Sequence, residues 1–135
     1  MSKLVVIVQC DIVCQRCPGF PCMNAFYNRE GAFKDYDEDT RYLSFTCGGC
    51  CGMGLAAKLE NLIHKLNRNH IPKENVVVHL ASCVVSDNYH NPPCPHREYL
   101  KEIVQRKGFE LKLGSYLSKR TQERREAGLY KEWDE

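Results

Sequence analysis

Long apolar runs are missing from this chain. The longest is Leu4-Val5-Val6-Ile7-Val8, far short of the roughly 20 residues that a membrane helix needs and too short for the core of a secretory signal. Charge of one sign is missing as well. Nineteen Lys and Arg stand against 17 Asp and Glu, a net of +2, which gives no clear electrostatic signal for nucleic acid. There is no internal repeat and no low-complexity segment. These absences point to a cytoplasmic protein with no membrane partner.

What is abundant is sulfur: nine cysteines in 135 residues. The count is odd, no secretory signal is evident, and a chain of this length builds a core without disulfide staples. In a reducing compartment, clustered cysteines bind metal or carry out redox chemistry. Hydrophobic residues make up 43% and charged residues 27%, as in a globular domain. We expect one domain over 1–135, with a core over about 4–116 and a helical tail over 117–135. The tail mixes both charge signs with Tyr116, Leu117, Leu129, Tyr130 and Trp133, and is a candidate surface for a homodimer or a redox or other protein partner.

The hydrophobic pattern predicts strands at 4–8, 41–45, 76–80 and 109–113. The run Leu4 to Val8 is continuous, as in a parallel strand buried on both faces, and Val76-Val77-Val78-His79-Leu80 reads as another buried strand. Helices are predicted at 22–30, with Gly31 as a C-cap, at 53–69, where Leu55, Leu59, Leu62 and Leu66 recur at helical spacing, and at about 95–107. Alternating strands and helices imply an α/β fold. The expected form is a three-layer sandwich around a mainly parallel sheet of four strands, with room for a fifth, doubly wound and flavodoxin-like. In such sheets ligands bind beyond the carboxyl ends of the strands. Cys10, Cys47 and Cys83 each fall just past such an end.

The central stretch is Cys47-Gly48-Gly49-Cys50-Cys51-Gly52, a glycine turn between a strand and a helix. Two thiols at this spacing can share a metal ion or form a disulfide across the turn. A thiolate near a helix N-terminus is stabilised, so Cys47 and Cys50 are the redox candidates. Cys10, Cys14, Cys17 and Cys22 form a second group that matches no single zinc-finger or ferredoxin spacing. Cys94 lies in a proline-rich loop, with His96 beside it as ligand or cap. Cys17 and Cys51 read as spectators, and His64, His70 and His90 as solvent-facing. His79, inside an apolar strand, reads more readily as a core histidine than as a ligand.

Thiolates favour zinc, copper(I) or iron–sulfur clusters over calcium or magnesium. Three functions follow. The first is binding of zinc or an iron–sulfur cluster through thiolates on loops at the carboxyl ends of the strands. The second is thiol–disulfide exchange by Cys47 and Cys50. The third is a metal-stabilised interaction module.

With these residues in place, the chain resembles the CGGC-domain family of small, mostly prokaryotic proteins. The resemblance runs over about 4–116. It rests on Cys14 and Cys22, then Arg29-Glu30-Gly31-Ala32-Phe33 and Tyr36, then Phe45 with Cys47-Gly48-Gly49-Cys50, then His79-Leu80, Ser82-Cys83 and Cys94-Pro95. It implies metal binding, commonly supposed to be zinc. The candidates it implies are Cys14, Cys22, Cys47, Cys50, His79, Cys83 and Cys94, with Cys10 matching many members. Two departures stand out. Cys51 replaces a common proline, and Gly114-Ser115-Tyr116 replaces a common Gly-Thr-His.

Overall fold

The structure, a computed structural model, describes residues 3–15, 17–49, 52–85 and 94–115. Its strands are β1 (Leu4–Gln9), β2 (Arg41–Thr46), β3 (Val76–Leu80) and β4 (Glu110–Leu113). They form one sheet in the order β2-β1-β3-β4, and every neighbouring pair is parallel. From β1 the chain steps one way to β2 and the other way to β3. Connections therefore diverge between β1 and β3, which leaves a crevice beyond their carboxyl ends.

The helices are α1 (Phe20–Tyr27), α2 (Met53–Arg68), α3 (Ser82–Val85) and α4 (Arg97–Arg106). They cover both faces of the sheet. Val5, Val6, Ile7 and Val8 in β1, and Val76, Val77 and Val78 in β3, are fully buried, because side chains that alternate across a covered sheet are enclosed on both sides. Val6, Val8, Val78 and Leu80 join Leu55, Leu59 and Leu66 of α2 and Leu100 and Val104 of α4 in one core. Val5 and Ile7 join Ala25 and Phe26 of α1, and Phe33, in the other.

The four expected strands are present within a residue or two, and the α/β sandwich stands. The sheet is wholly parallel, and no fifth strand occurs among the described residues. The first helix begins at Phe20 rather than Cys22, with Pro21 in its first turn, where a missing N–H costs nothing. It ends at the Asn28 cap, so Gly31 does not cap it. Gly31 opens a separate 3-10 turn, Gly31–Phe33. α3 was not expected, since four residues are too few to show a period. The tail over 117–135, Cys50, Cys51 and His90 lie outside the described residues. Among those that are described, no helix is long and apolar enough to cross a membrane.

Candidate thiol site at the carboxyl edge

The loop after β1 turns straight back over its strand. The Cys14 N–H donates to Cys10 O (2.9 Å) and the Cys17 N–H to Val13 O (2.8 Å), around the 3-10 turn Val13–Gln15. The Cys14 thiol thereby meets Gln9 Oε1 at 3.6 Å. The Gln9 amide fills the space where a side chain on Gly19 would stand, and the Gly19 N–H donates to Cys17 Sγ at 3.5 Å. The Thr46 hydroxyl donates to Asp11 (2.9 Å), tying this loop to the end of β2.

Beyond β3 and β4 the chain is stitched by two serines. The Ser82 N–H donates to Ser115 Oγ (3.1 Å), and the Ser115 N–H donates to Ser82 Oγ (2.9 Å). Ser115 Oγ also lies 3.2 Å from Cys22 Sγ in the first turn of α1. Cys83 follows at once, and its sulfur accepts the Cys10 N–H at 3.3 Å. Cys83 packs against both cores, so it sits where the two faces of the sheet meet at this edge.

Electrostatics link these thiols. Burial first, and then the neighbouring Cys17, Cys22, Cys10 and Asp11, push the Cys14 thiol up to about 11. Cys83 is pushed up to about 12, first by burial, then by Cys22, Cys10 and Cys14, with the Cys10 N–H partly offsetting them. Cys10, Cys14, Cys17, Cys22 and Cys83 therefore share one neighbourhood. Cys17, read as a spectator in the sequence, belongs to it. Near neutral pH, Cys14 and Cys83 are protonated thiols, the opposite of an activated nucleophile.

Cys47 and Cys94 belong to the α2/α4 side, against which Cys10 and Cys83 also pack. Cys47 is buried within that core, and its N–H donates to Gln9 O (2.9 Å). The glycine turn after it is forced by packing. Gly48 has φ +73° and lies against Gly54 of α2, where an added Cβ would come within 2.7 Å of the Gly48 Cα. Gly52 caps α2 with φ +74°, and a Cβ there would strike Tyr99 and Ile103 at 2.8 Å. Cys94 is half-buried against the same core. Its N–H donates to Val84 O (2.7 Å), and its sulfur accepts the His96 N–H (3.4 Å).

His79 is fully buried on the α1 face. Its Nδ1 is 3.0 Å from Gly114 O and its Nε2 is 2.6 Å from the Tyr36 hydroxyl. A carbonyl only accepts, so Nδ1 carries the proton and Nε2 receives the tyrosine O–H. Burial lowers its pKa to about 4. No lone pair on the ring is left for a metal. This is the core histidine that its apolar strand suggested, with both ring nitrogens hydrogen-bonded.

Among the described residues, no three His, Cys, Asp or Glu side chains stand where they would hold one metal ion. The thiols after β1, β2 and β3 share an edge of the sheet, where Cys47 is buried in the aliphatic core and Cys10, Cys83 and Cys94 pack against it. The donor set still suits a thiophilic cation. Around Cys14 lie the thiols of Cys17, Cys22 and Cys10 and the carboxylate of Asp11. Sequence reasoning missed Ser82 and Ser115 as organisers of this edge. Serines carry no spacing signal, and only the topology places them together.

No curated protein and no solved structure matches the chain. The family model described as the CGGC domain matches residues 4–116 of the 135, from the first strand through Ser115 and one residue beyond. With the glycine turn and the cysteines after β1 and β3 all inside that span, the chain belongs to the CGGC domain family.

Proposed function

We propose that this protein binds a thiophilic metal, zinc or an iron–sulfur cluster, at the carboxyl edge of β1 and β3. The observation that carries the reading is the shared neighbourhood of Cys10, Cys14, Cys17, Cys22 and Cys83, in which the Cys14 and Cys83 thiols are raised first by burial and then by neighbouring cysteines. A bound metal removes that penalty by replacing the protons. Cys10, Cys14, Cys22 and Cys83 form the proposed core of the ligand set. Cys47, Cys50 and Cys94 are the further candidates from the adjoining loops. His79 is left out because both of its ring nitrogens are committed. Binding draws the donors together, so metal and loop order are coupled.

The redox alternative falls to Cys47 and Cys50, since Cys14 and Cys83 are poor thiolates near neutral pH. A metal-stabilised interaction module remains the other reading of the same thiols. Localisation in the cytoplasm is part of the proposal, because reduced thiols suit metal and not disulfides.

Addition of zinc, or of ferrous iron with sulfide under anaerobic conditions, to weakly buffered metal-free protein near pH 7 tests the reading. Binding is expected to release protons, and the affinity is expected to rise with pH. Tight binding without proton release, or no binding at all, contradicts it. Reduction of a model disulfide by metal-free protein, lost in Cys47→Ser or Cys50→Ser, would favour the redox alternative.

A further inference from the structure

β2 is an edge of the sheet, and Arg41, Tyr42, Leu43 and Ser44 along it are exposed. The direction of its polar groups follows from two bonds. The Arg41 N–H donates to Lys3 O and the Cys47 N–H to Gln9 O, so odd-numbered residues from 41 to 47 turn toward β1. Alternation along a strand turns Tyr42, Ser44 and Thr46 outward. Thr46 O already accepts from Lys58 Nζ at 3.1 Å. The outward N–H and C=O of Tyr42 and Ser44 have no protein partner among the described residues. Edges of this kind are usually blunted by proline, a bulge or a covering segment, and among the described residues the middle of β2 shows none of these. Beside it, Leu43, Phe45, Ala57 and Leu62 line a groove of about 390 Å³ with Lys58, Asn61 and Lys65.

We propose that this edge pairs antiparallel with β2 of a second copy, joining the two sheets into one. A two-fold axis at Leu43 sets Tyr42 opposite Ser44 of the second copy, and the reverse. That register satisfies the four outward groups of each copy and leaves the Lys58–Thr46 bond intact. Leu43 meets Leu43 across the axis, on the face that carries the groove. Charge identifies the occupant. Asp35, Asp37, Glu38 and Asp39 are exposed just before the amino end of β2. Lys58 is held at its carboxyl end by Thr46 O and lies 5.4 Å from the centre of the Phe45 ring. The antiparallel arrangement lays each acidic segment beside Lys58 of the other copy, where four carboxylates outweigh Arg29, Lys34 and Arg41. A parallel pairing brings no such charges together and does not close.

Sedimentation equilibrium of the full chain over rising concentration tests this. The expected mass is twice the 15.6 kDa of the chain. Leu43→Glu puts two carboxylates at the axis, on a side chain that is exposed in the single copy. It is expected to weaken dimerisation about tenfold or more. Lys58→Glu is expected to weaken it less, with recovery on adding Asp39→Lys. Circular dichroism of each variant confirms that the fold is retained. A monomer at all concentrations overturns the proposal, as does a dimer that a folded Leu43→Glu and a folded Lys58→Glu both leave unchanged.

Discussion

On the face covered by α2 and α4, β1 and β3 present Val6, Val8, Val78 and Leu80 to Leu55, Leu59, Leu100 and Val104. On the face covered by α1, the same strands present Val5 and Ile7 beside Phe26, Phe33, Tyr36 and His79. The first face is aliphatic and holds through area and close packing, which are not directional. The second is aromatic and hydrogen-bonded. Its bonds run from Tyr36 through His79 to Gly114 O, and the Gly114 N–H donates to Leu80 O at 2.7 Å. Ser115, Ser82 and Cys22 continue that line to the carboxyl edge. Both faces stabilise the fold, and the second also carries a line of hydrogen bonds to the thiol edge. Damage to the two faces should therefore read out differently.

Leu59→Ala on the aliphatic face is expected to cost the most. A buried leucine cut to alanine loses about 2–5 kcal/mol, measurable by urea denaturation, and the metal content of the folded fraction should not change. Equal loss of stability and of metal would blur the comparison. On the other face, His79 makes stability depend on acid. The unfolded imidazole takes a proton near 6.5 and the folded one only near 4. The stabilisation is therefore complete above pH 6.5 and is lost as the pH falls through 4, on the order of 3 kcal/mol in all. Denaturation at a series of pH values checks this, and a flat profile between pH 7 and 4 contradicts it.

Ser115→Ala should cost about 1–3 kcal/mol, because it leaves the Ser82 N–H buried without its acceptor and removes the contact to Cys22. Its distinguishing sign is weaker metal binding, which Leu59→Ala should not show. Tyr36→Phe is the mildest change, about 1–2 kcal/mol from the unpaired Nε2 of His79, with metal affinity close to that of the unaltered protein. Burial, and then the charge of Glu110, push the Tyr36 hydroxyl up to about 12, so it stays a donor throughout the accessible pH range.

The sheet was legible in the sequence because Leu4 to Val8 is an uninterrupted apolar run and Val76 to Leu80 is broken only by His79, as suits strands buried on both faces. α2 was legible because Leu55, Leu59, Leu62 and Leu66 keep one stripe. The start of α1 lies two residues earlier than expected, because Pro21 reads as a breaker in the sequence but fits the first turn of a helix. The placement of Cys10, Cys47 and Cys83 past strand ends followed from topology. Their grouping did not. Whether a thiol turns toward the crevice or into the aliphatic core depends on its neighbours in space, and spacing along the chain does not record those. Cys47 went to the core, while Cys17 joined the thiol group. For His79, the apolar strand gave the better indication than its place in the family motif.

The most direct test of metal at this edge is the metal content and visible spectrum of protein purified without oxygen, beside Cys14→Ser and Cys83→Ser. A stoichiometric metal or cluster in the unaltered chain, lost or sharply reduced in both variants while the fold persists, is the predicted result. Unaltered protein that carries no metal, or variants that keep it in full, would contradict the assignment of the thiols after β1 and β3 as its ligands.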